Sequence, residues 1–313
     1  MQFDKKISII APCYNEEQVI QTTYNRLNSV FSQNGFPDYE FVFINDGSKD
    51  RTFQILSDIA LADPNVKVIN LSRNFGHQPA VTAGLHNCTG DIAIIIDSDL
   101  QDPPELIPEL IAAYLREEAN VVYCVRQSRD GESGFKKLSA KWYYRLLNYL
   151  SEVNLPKDTG DFRLIDRKVI DEFKKLREKN KYIRGLITWV GFKQVPFYYN
   201  REARFAGETK YPLFKMLSFA MNGLLYFTKK PLTLAVLFGV ICSMIGMLLA
   251  IFIVAEHFLH PENLISGWTS TLVIIIFFGG VQLLSVGLLG KYIGSIFDEV
   301  KDRPEFIIDR IIN

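Results

Sequence analysis

Three short polar clusters in the first hundred residues carry side chains suited to chemistry, and each directly follows an apolar run. Pro12-Cys13-Tyr14-Asn15-Glu16 follows residues 7–11, Asp46-Gly47-Ser48 follows residues 40–45, and Asp97-Ser98-Asp99 follows residues 91–96. The last is the sharpest, because residues 92–96 are wholly apolar and end abruptly in Asp97-Ser98-Asp99-Leu100-Gln101-Asp102-Pro103-Pro104. Carboxylates at i and i+2 leave an extended chain on the same side, and a proline-forced turn can splay them around one centre. Hard oxygen donors of this kind suit Mg2+ or Mn2+, whose coordination is normally completed by water and phosphate oxygens. Gln101 can add a carbonyl oxygen. An acidic turn before a helix is also an ordinary solvated cap, and Asp46-Gly47-Ser48 reads equally as a glycine turn with Ser48 or Asp50 capping a helix. The chemical reading of Asp46 is an acceptor of hydrogen bonds from a base or ribose. Glu16 has the same two sides, since acids favour a helix's first turn.

These clusters need a frame. Residues 7–11, 40–45, 66–70, 91–96 and 120–125 read as strands, with helical patterns after Glu16, Asp50, Gly76 and Pro104. That alternation predicts an α/β fold, a parallel sheet covered by helices on both faces. Ligands of such sheets bind beyond the carboxyl ends of the strands, where the three clusters fall. No GxGxxG and no GxxxxGK[ST] occurs, so a dinucleotide fold and a P-loop are both unsupported. His77, His86, His257 and His260 form no pattern and are read as incidental.

Lys plus Arg and Asp plus Glu each number 35, which argues against a surface that coats polyanions and against nucleic acid as a partner. The balance is uneven along the chain. Residues 1–230 carry 31 basic and 28 acidic side chains, whereas residues 231–313 carry 4 and 7. Residues 231–255 and 269–290 contain no charge, and at about 1.5 Å per residue each is long enough for a hydrocarbon core of about 30 Å. Two spans are expected, joined by an extracytoplasmic loop at 256–268. Lys229, Lys230 and Lys291 flank them while the loop has neither Lys nor Arg, which places both termini in the cytoplasm of a multi-pass protein of the inner (plasma) membrane. No signal peptide is read at the start. The remaining divisions are a catalytic domain at 1–212, an interfacial helix at 213–230 and a cytoplasmic tail at 291–313. Gly239 and Ser243 in the first span, with Gly279, Gly280, Gly287 and Gln282 in the second, point to close helix packing and a homo-oligomer. Cys13, Cys88, Cys124 and Cys242 lie far apart without a CxxC pair, which fits a reducing compartment.

Two basic excesses lie between the strand region and the apolar stretches. Residues 126–145 hold six Lys or Arg against two acids, and residues 193–215 hold five against two. Arg126, Arg129, Lys137, Arg204 and Lys210 are the candidates for binding phosphate oxygens; the alternative is a solvated or headgroup-facing basic surface.

The run from Ile9 to Glu16, Asn45-Asp46-Gly47-Ser48 and the run from Asp97 to Pro104 together resemble the inverting nucleotide-sugar glycosyltransferases of the GT-A fold, family 2. Asp158-Thr159-Gly160-Asp161-Phe162-Arg163-Leu164, the run from Arg204 to Tyr211 and the two apolar stretches narrow the resemblance to the polyisoprenyl-phosphate glycosyltransferases. That group includes dolichyl-phosphate mannose synthase and the bactoprenol glucosyltransferases.

The resemblance implies that Pro12, Tyr14, Glu16, Asp46 and Asp97 hold the donor nucleotide. It implies that Asp97, Asp99 and Gln101 hold the metal, with Asp99 and Asp161 as catalytic residues. The expected reaction is metal-dependent, inverting transfer of glucose from UDP-glucose to undecaprenyl phosphate at the cytoplasmic face. A separate flippase would then carry the product across. GDP-mannose, UDP-galactose, UDP-N-acetylhexosamine and UDP-modified pentoses are the alternative donors, and a noncatalytic membrane scaffold is the alternative of another class. An acceptor phosphate is already mostly dianionic near neutral pH, since its second pKa is about 6, so Asp161 as a general base has little to deprotonate.

Overall fold

The computed structural model describes residues 3–126, 159–179, 181–200, 230–259 and 268–313. They form two compact units, one built on a sheet that includes Arg303–Asn313, the other holding two long helices within residues 213–302.

The sheet has strands β1 (Ile7–Cys13), β2 (Tyr39–Asn45), β3 (Val66–Leu71), β4 (Ile92–Ile95), β5 (Val121–Arg126), β6 (Thr159–Asp166), β7 (Gln194–Tyr199) and β8 (Ile308–Ile312), in the order β7-β5-β6-β4-β1-β2-β3-β8. Helices α1 (Ile20–Asn34), α2 (Thr52–Ala62), α3 (His77–Asn87) and α4 (Ile107–Arg116) connect the first five strands, with a 3-10 turn at Pro104–Leu106 before α4. Helices α5 (Arg167–Lys175) and α6 (Ile183–Val190) lie between β6 and β7. Every residue of β1 and β4 is buried, as continuous apolar runs require when both faces of a strand are covered. Helix α3 approaches β1 and β2 through Gly84, where a Cβ would stand 2.4 Å from Ile10 Cγ2. A larger residue there would lift the helix off the strands.

The sheet is mostly parallel, as expected, with two antiparallel members. Strands β1, β2, β3 and β4 are parallel, as are β5 and β7, but β6 runs antiparallel between β4 and β5. Strand β8 is antiparallel along β3. Strand β6 escapes a hydropathy reading because Asp161, Arg163 and Asp166 interrupt it, yet all eight positions are buried. Its direction matters for the site. Ile95 faces Arg163, and continuing that antiparallel register brings Asp161 level with Asp97.

The second unit holds α7 (Lys230–Leu259) and α8 (Trp268–Val300). Both overrun the expected spans at 231–255 and 269–290, and helix α7 takes the first residues of the expected loop. Among the described residues one stretch, Phe277–Val300, is long and apolar enough to cross a membrane, and α7 holds a shorter apolar stretch, Ala235–Leu248. Of the expected tail at 291–313, residues 291–300 continue helix α8 and Ile308–Ile312 joins the sheet. The expected interfacial segment at 213–229 lies outside the described residues.

Candidate active site

The carboxyl ends of β1, β2 and β4 and the start of β6 meet at one end of the sheet. The end of β1 is cross-pinned to the end of β2. Asn15 N–H donates to Ser48 Oγ at 3.0 Å, Lys49 N–H to Asn15 Oδ1 at 2.8 Å, and Glu16 N–H to Thr52 Oγ1 at 2.8 Å. Asp50 accepts from the Thr52 amide at 3.0 Å in the first turn of α2. Of the two capping candidates it is Asp50 that caps, and Ser48 ties the loops together. Tyr14, 42% exposed, projects from this rim.

Asp46 is 3% exposed, and both of its oxygens are already engaged: Phe75 N–H donates to Oδ1 at 2.7 Å and Gly76 N–H to Oδ2 at 2.9 Å. Burial raises its pKa in spite of those amides. The adjoining Gly47 has φ +62°, and a Cβ on it would stand 2.4 Å from the Arg73 carbonyl carbon. The pair therefore clamps residues 73–76, the turn that opens α3 at His77. Its first task is to place that helix start.

In the acidic turn the middle residue faces inward. Ser98 Oγ donates to Pro12 O at 2.9 Å and Thr23 Oγ1 donates to Ser98 O at 2.8 Å, tying the turn to β1 and α1. Asp99 Oδ1 accepts from the Gln101 amide at 3.1 Å, and Leu100 between them has φ 59°. Burial, with the Asp102, Asp161 and Asp99 carboxylates, pushes the Asp97 carboxyl up to about 6 although His77 opposes them. Such crowding of negative charge is what a bound cation relieves.

The deciding contacts come from residues whose type and spacing gave no warning. His77 Nε2 lies 3.0 Å from Asp161 Oδ2 and 3.8 Å from Asp97 Oδ1. Burial would lower its pKa, but Asp161 and Asp97 outweigh it and raise the imidazole. Reading His77 as incidental is thus corrected. Arg184, on α6, donates from Nε to Asp161 Oδ1 at 2.6 Å, from Nη2 to Oδ2 at 3.1 Å, and from Nη1 to Thr159 O at 2.7 Å. Burial alone would raise the Asp161 carboxyl; Arg184 and His77 hold it well below the usual carboxylate range. Arg163, two residues on along β6, is buried and donates to Gly160 O at 3.0 Å, and desolvation lowers it to about 10.

A family model described as glycosyl transferase family 2 matches residues 8–174, which contain every one of these strand ends. The chain belongs to glycosyl transferase family 2. It is 52% identical to an uncharacterized glycosyltransferase, YkcC, of Bacillus subtilis, over 97% of this chain and 93% of that protein. It is 37% identical to a prophage bactoprenol glucosyl transferase homolog of Escherichia coli, over 98% of this chain and 99% of that one. It is 38% identical to a bactoprenol glucosyl transferase of Shigella phage SfII, over 97% and 98%. The protein is therefore a glycosyltransferase, with the α/β, mostly parallel sheet of the GT-A type.

Within this family 2 glycosyltransferase the structure brings Pro12, Tyr14, Glu16, Asp46, Asp97, Asp99, Gln101 and Asp161 to one end of the sheet. Arg126, at the end of β5, belongs to the same end: its Nε donates to Tyr199 Oη at 3.4 Å, and Tyr199 Oη donates to the buried Asp102 at 2.5 Å. Gly160 leaves room for it, since a Cβ there would meet Arg126 Nη2 at 2.7 Å. Arg129, Lys137, Arg204 and Lys210 lie outside the described residues. Among the described residues no group of three or more His, Cys, Asp or Glu side chains is disposed to hold a metal by itself. Two carboxylates and an amide are an incomplete donor set, the kind that phosphate oxygens complete.

Proposed function

We propose that this glycosyltransferase moves a sugar, glucose from UDP-glucose in the first instance, to undecaprenyl phosphate at the cytoplasmic face of the membrane. The observation that carries this reading is the extent of the similarity: relatives named bactoprenol glucosyl transferase align over 97% of the chain, far beyond the sheet-bearing part alone. The acidic turn supports it from the chemical side. Asp97 and Asp99, with the Gln101 carbonyl, would hold Mg2+ or Mn2+ against the donor diphosphate. Such an ion supplies neutralisation of the charge that grows on the departing nucleoside diphosphate. The fit rests on the carboxylate crowding around Asp97 and on the hardness of its donors.

The protein's own residues do the remaining work. Pro12, Tyr14 and Glu16 form the wall against which the nucleotide lies. Asp46 acts through the turn at residues 73–76 and so through His77, which is set between Asp97 and Asp161. Asp161, paired with Arg184 and His77, has little proton affinity and serves to orient neighbours rather than to take a proton. None is needed from it, because the acceptor phosphate is its own anionic nucleophile. One acceptor phosphate oxygen bonds to the anomeric carbon as the bond from that carbon to the diphosphate oxygen breaks, inverting the centre. Arg126 and the basic residues Arg129, Lys137, Arg204 and Lys210 would hold the acceptor phosphate.

With the stretch in α8 taken to cross, the return of the chain to the sheet supports a reading with two membrane crossings. The chain leaves the sheet before α7 and rejoins it at β8, so the number of crossings between is even, and α7 makes the second. The test is to incubate the purified protein in lipid nanodiscs with undecaprenyl phosphate, Mn2+ and separate nucleotide sugars, then weigh the lipids. A gain of one hexose from UDP-glucose is the expected result; no change with any donor removes the proposal.

A further inference from the structure

Helix α6, which carries Arg184, is fixed at its start from two sides. Ile183 N–H donates to Gln78 Oε1 at 3.0 Å, one residue from His77 on α3. Lys181, just ahead, reaches the other way: its Nζ is 2.6 Å from Glu305 Oε1, with the two side chains only 5% and 9% exposed, and it lies over the Phe173 ring at 5.5 Å. Glu305 belongs to the segment that follows the second long helix. That segment is bound to the sheet along β3, by Ser72 N–H donating to Ile307 O at 2.9 Å, by Asn70 Nδ2 donating to Asp309 Oδ2 at 3.1 Å, and by Phe306 edge-on to His86.

An exposed ion pair would contribute little, but this one is nearly closed to water, so removing the Glu305 carboxylate leaves the buried Lys181 ammonium without its counter-charge. The start of α6 would then shift to rehydrate it. Arg184 is three residues beyond Lys181, and its guanidinium holds both oxygens of Asp161 and the carbonyl at the mouth of β6.

We propose that the C-terminal segment is a working part of the active site: Glu305, through Lys181, sets the start of α6 and with it the grip of Arg184 on Asp161. Lys181 and Glu305 are positioning residues, and neither lies among the strand-end clusters. The inference rests on the transferase reading of that site. Its consequence is a coupling of catalysis to the presence of both long helices, because Glu305 is reached only after the chain has passed through them.

The test compares full-length wild type with Glu305→Gln, Lys181→Met and the exchanged pair Lys181→Glu/Glu305→Lys, in nanodiscs, below the melting temperature of each. Turnover of UDP-glucose with undecaprenyl phosphate and Mn2+ is measured beside UDP binding by calorimetry and hydrogen exchange of the α6 amides. The expected result is a fall of kcat of about tenfold to a hundredfold in the single variants, the size that misplacement of about 1 Å produces. UDP affinity and the donor KM stay within about twofold, the α6 amides exchange faster while those of β1 and β4 do not, and the exchanged pair recovers much of kcat. Unchanged kcat, or loss of UDP binding in step with kcat, overturns the proposal. If wild type itself turns over no donor, the transferase reading fails, and the exchange data still decide: α6 amides as protected in Glu305→Gln as in wild type overturn the proposal, and selective loss of protection supports it.

Discussion

Asp97, two residues past the end of β4, and Asp161, on the neighbouring β6, sit level, yet their surroundings drive them in opposite directions. Asp97 is crowded by carboxylates and rises to about 6, while Arg184 and His77 hold Asp161 far down. The difference separates their roles. On the proposed reading Asp97→Asn removes a carboxylate from the cation site, and it is expected to lower kcat by at least about a hundredfold, with the fold kept; turnover and circular dichroism measure the two. Asp161→Asn is expected to lower kcat without removing a limb from the pH–rate curve between about pH 6 and 9, although limbs due to His77 or Asp97, both raised by the Asp161 charge, move to lower pH. The reason is that a carboxylate held so low stays ionised throughout that window and contributes no titration to it. Disappearance of a limb in Asp161→Asn would restore the general-base role.

The elements that carry these residues are held by contacts of unequal visibility. Strands β1, β2 and β4 were legible because apolar runs end in polar clusters, and the acidic turn fell where such a strand should end. His77 and Arg184 were not. A lone histidine at a helix start and an arginine 23 residues beyond Asp161 have no common spacing, and only the antiparallel course of β6 brings them together. The double engagement of Asp46 by the Phe75 and Gly76 amides was equally hidden, since nothing local ties residue 46 to residue 75. Gly47→Ala tests that clamp: the positive φ and the contact with Arg73 should cost about 1–3 kcal/mol in thermal unfolding and lower turnover with it. At the far end of the same strands, Ser8 Oγ donates to Glu40 at 2.5 Å, Thr89 N–H donates to the same oxygen, and Lys67 lies 3.8 Å away. Burial alone would raise the Glu40 carboxyl, but these partners hold it below its ordinary value of 4.5. Its stabilising effect is therefore fully present above pH 4.5 and is lost as pH falls through the lower folded value. Glu40→Gln should cost about 1–3 kcal/mol at neutral pH, with the gap to wild type closing in acid, as read by melting temperature against pH.

On the scale of the whole molecule, the sheet receives the chain again after both long helices, at β8. The charge-free stretches were plain in composition, whereas the helix ends were not. Polar residues such as Lys291, Asp298 and Glu299 continue α8 beyond its apolar part, and a short strand of mixed polarity, Ile308–Ile312, looks like a tail until β3 is beside it. If α8 crosses as proposed, the return of the chain to the sheet implies a second crossing, and the connector at 260–267 is expected on the face opposite the sheet. A single cysteine introduced by Asn263→Cys should react with a membrane-impermeant maleimide from outside intact cells; reaction only after the cells are opened would contradict the two-crossing topology. The proposed catalysis is one displacement at the strand ends, with a lipid phosphate as nucleophile. Proton NMR of the lipid product made from an α-linked nucleotide sugar tests it most directly. A β-linked sugar on the lipid phosphate is the predicted result, and an α-linked product, or a lipid phosphate without sugar, would contradict it.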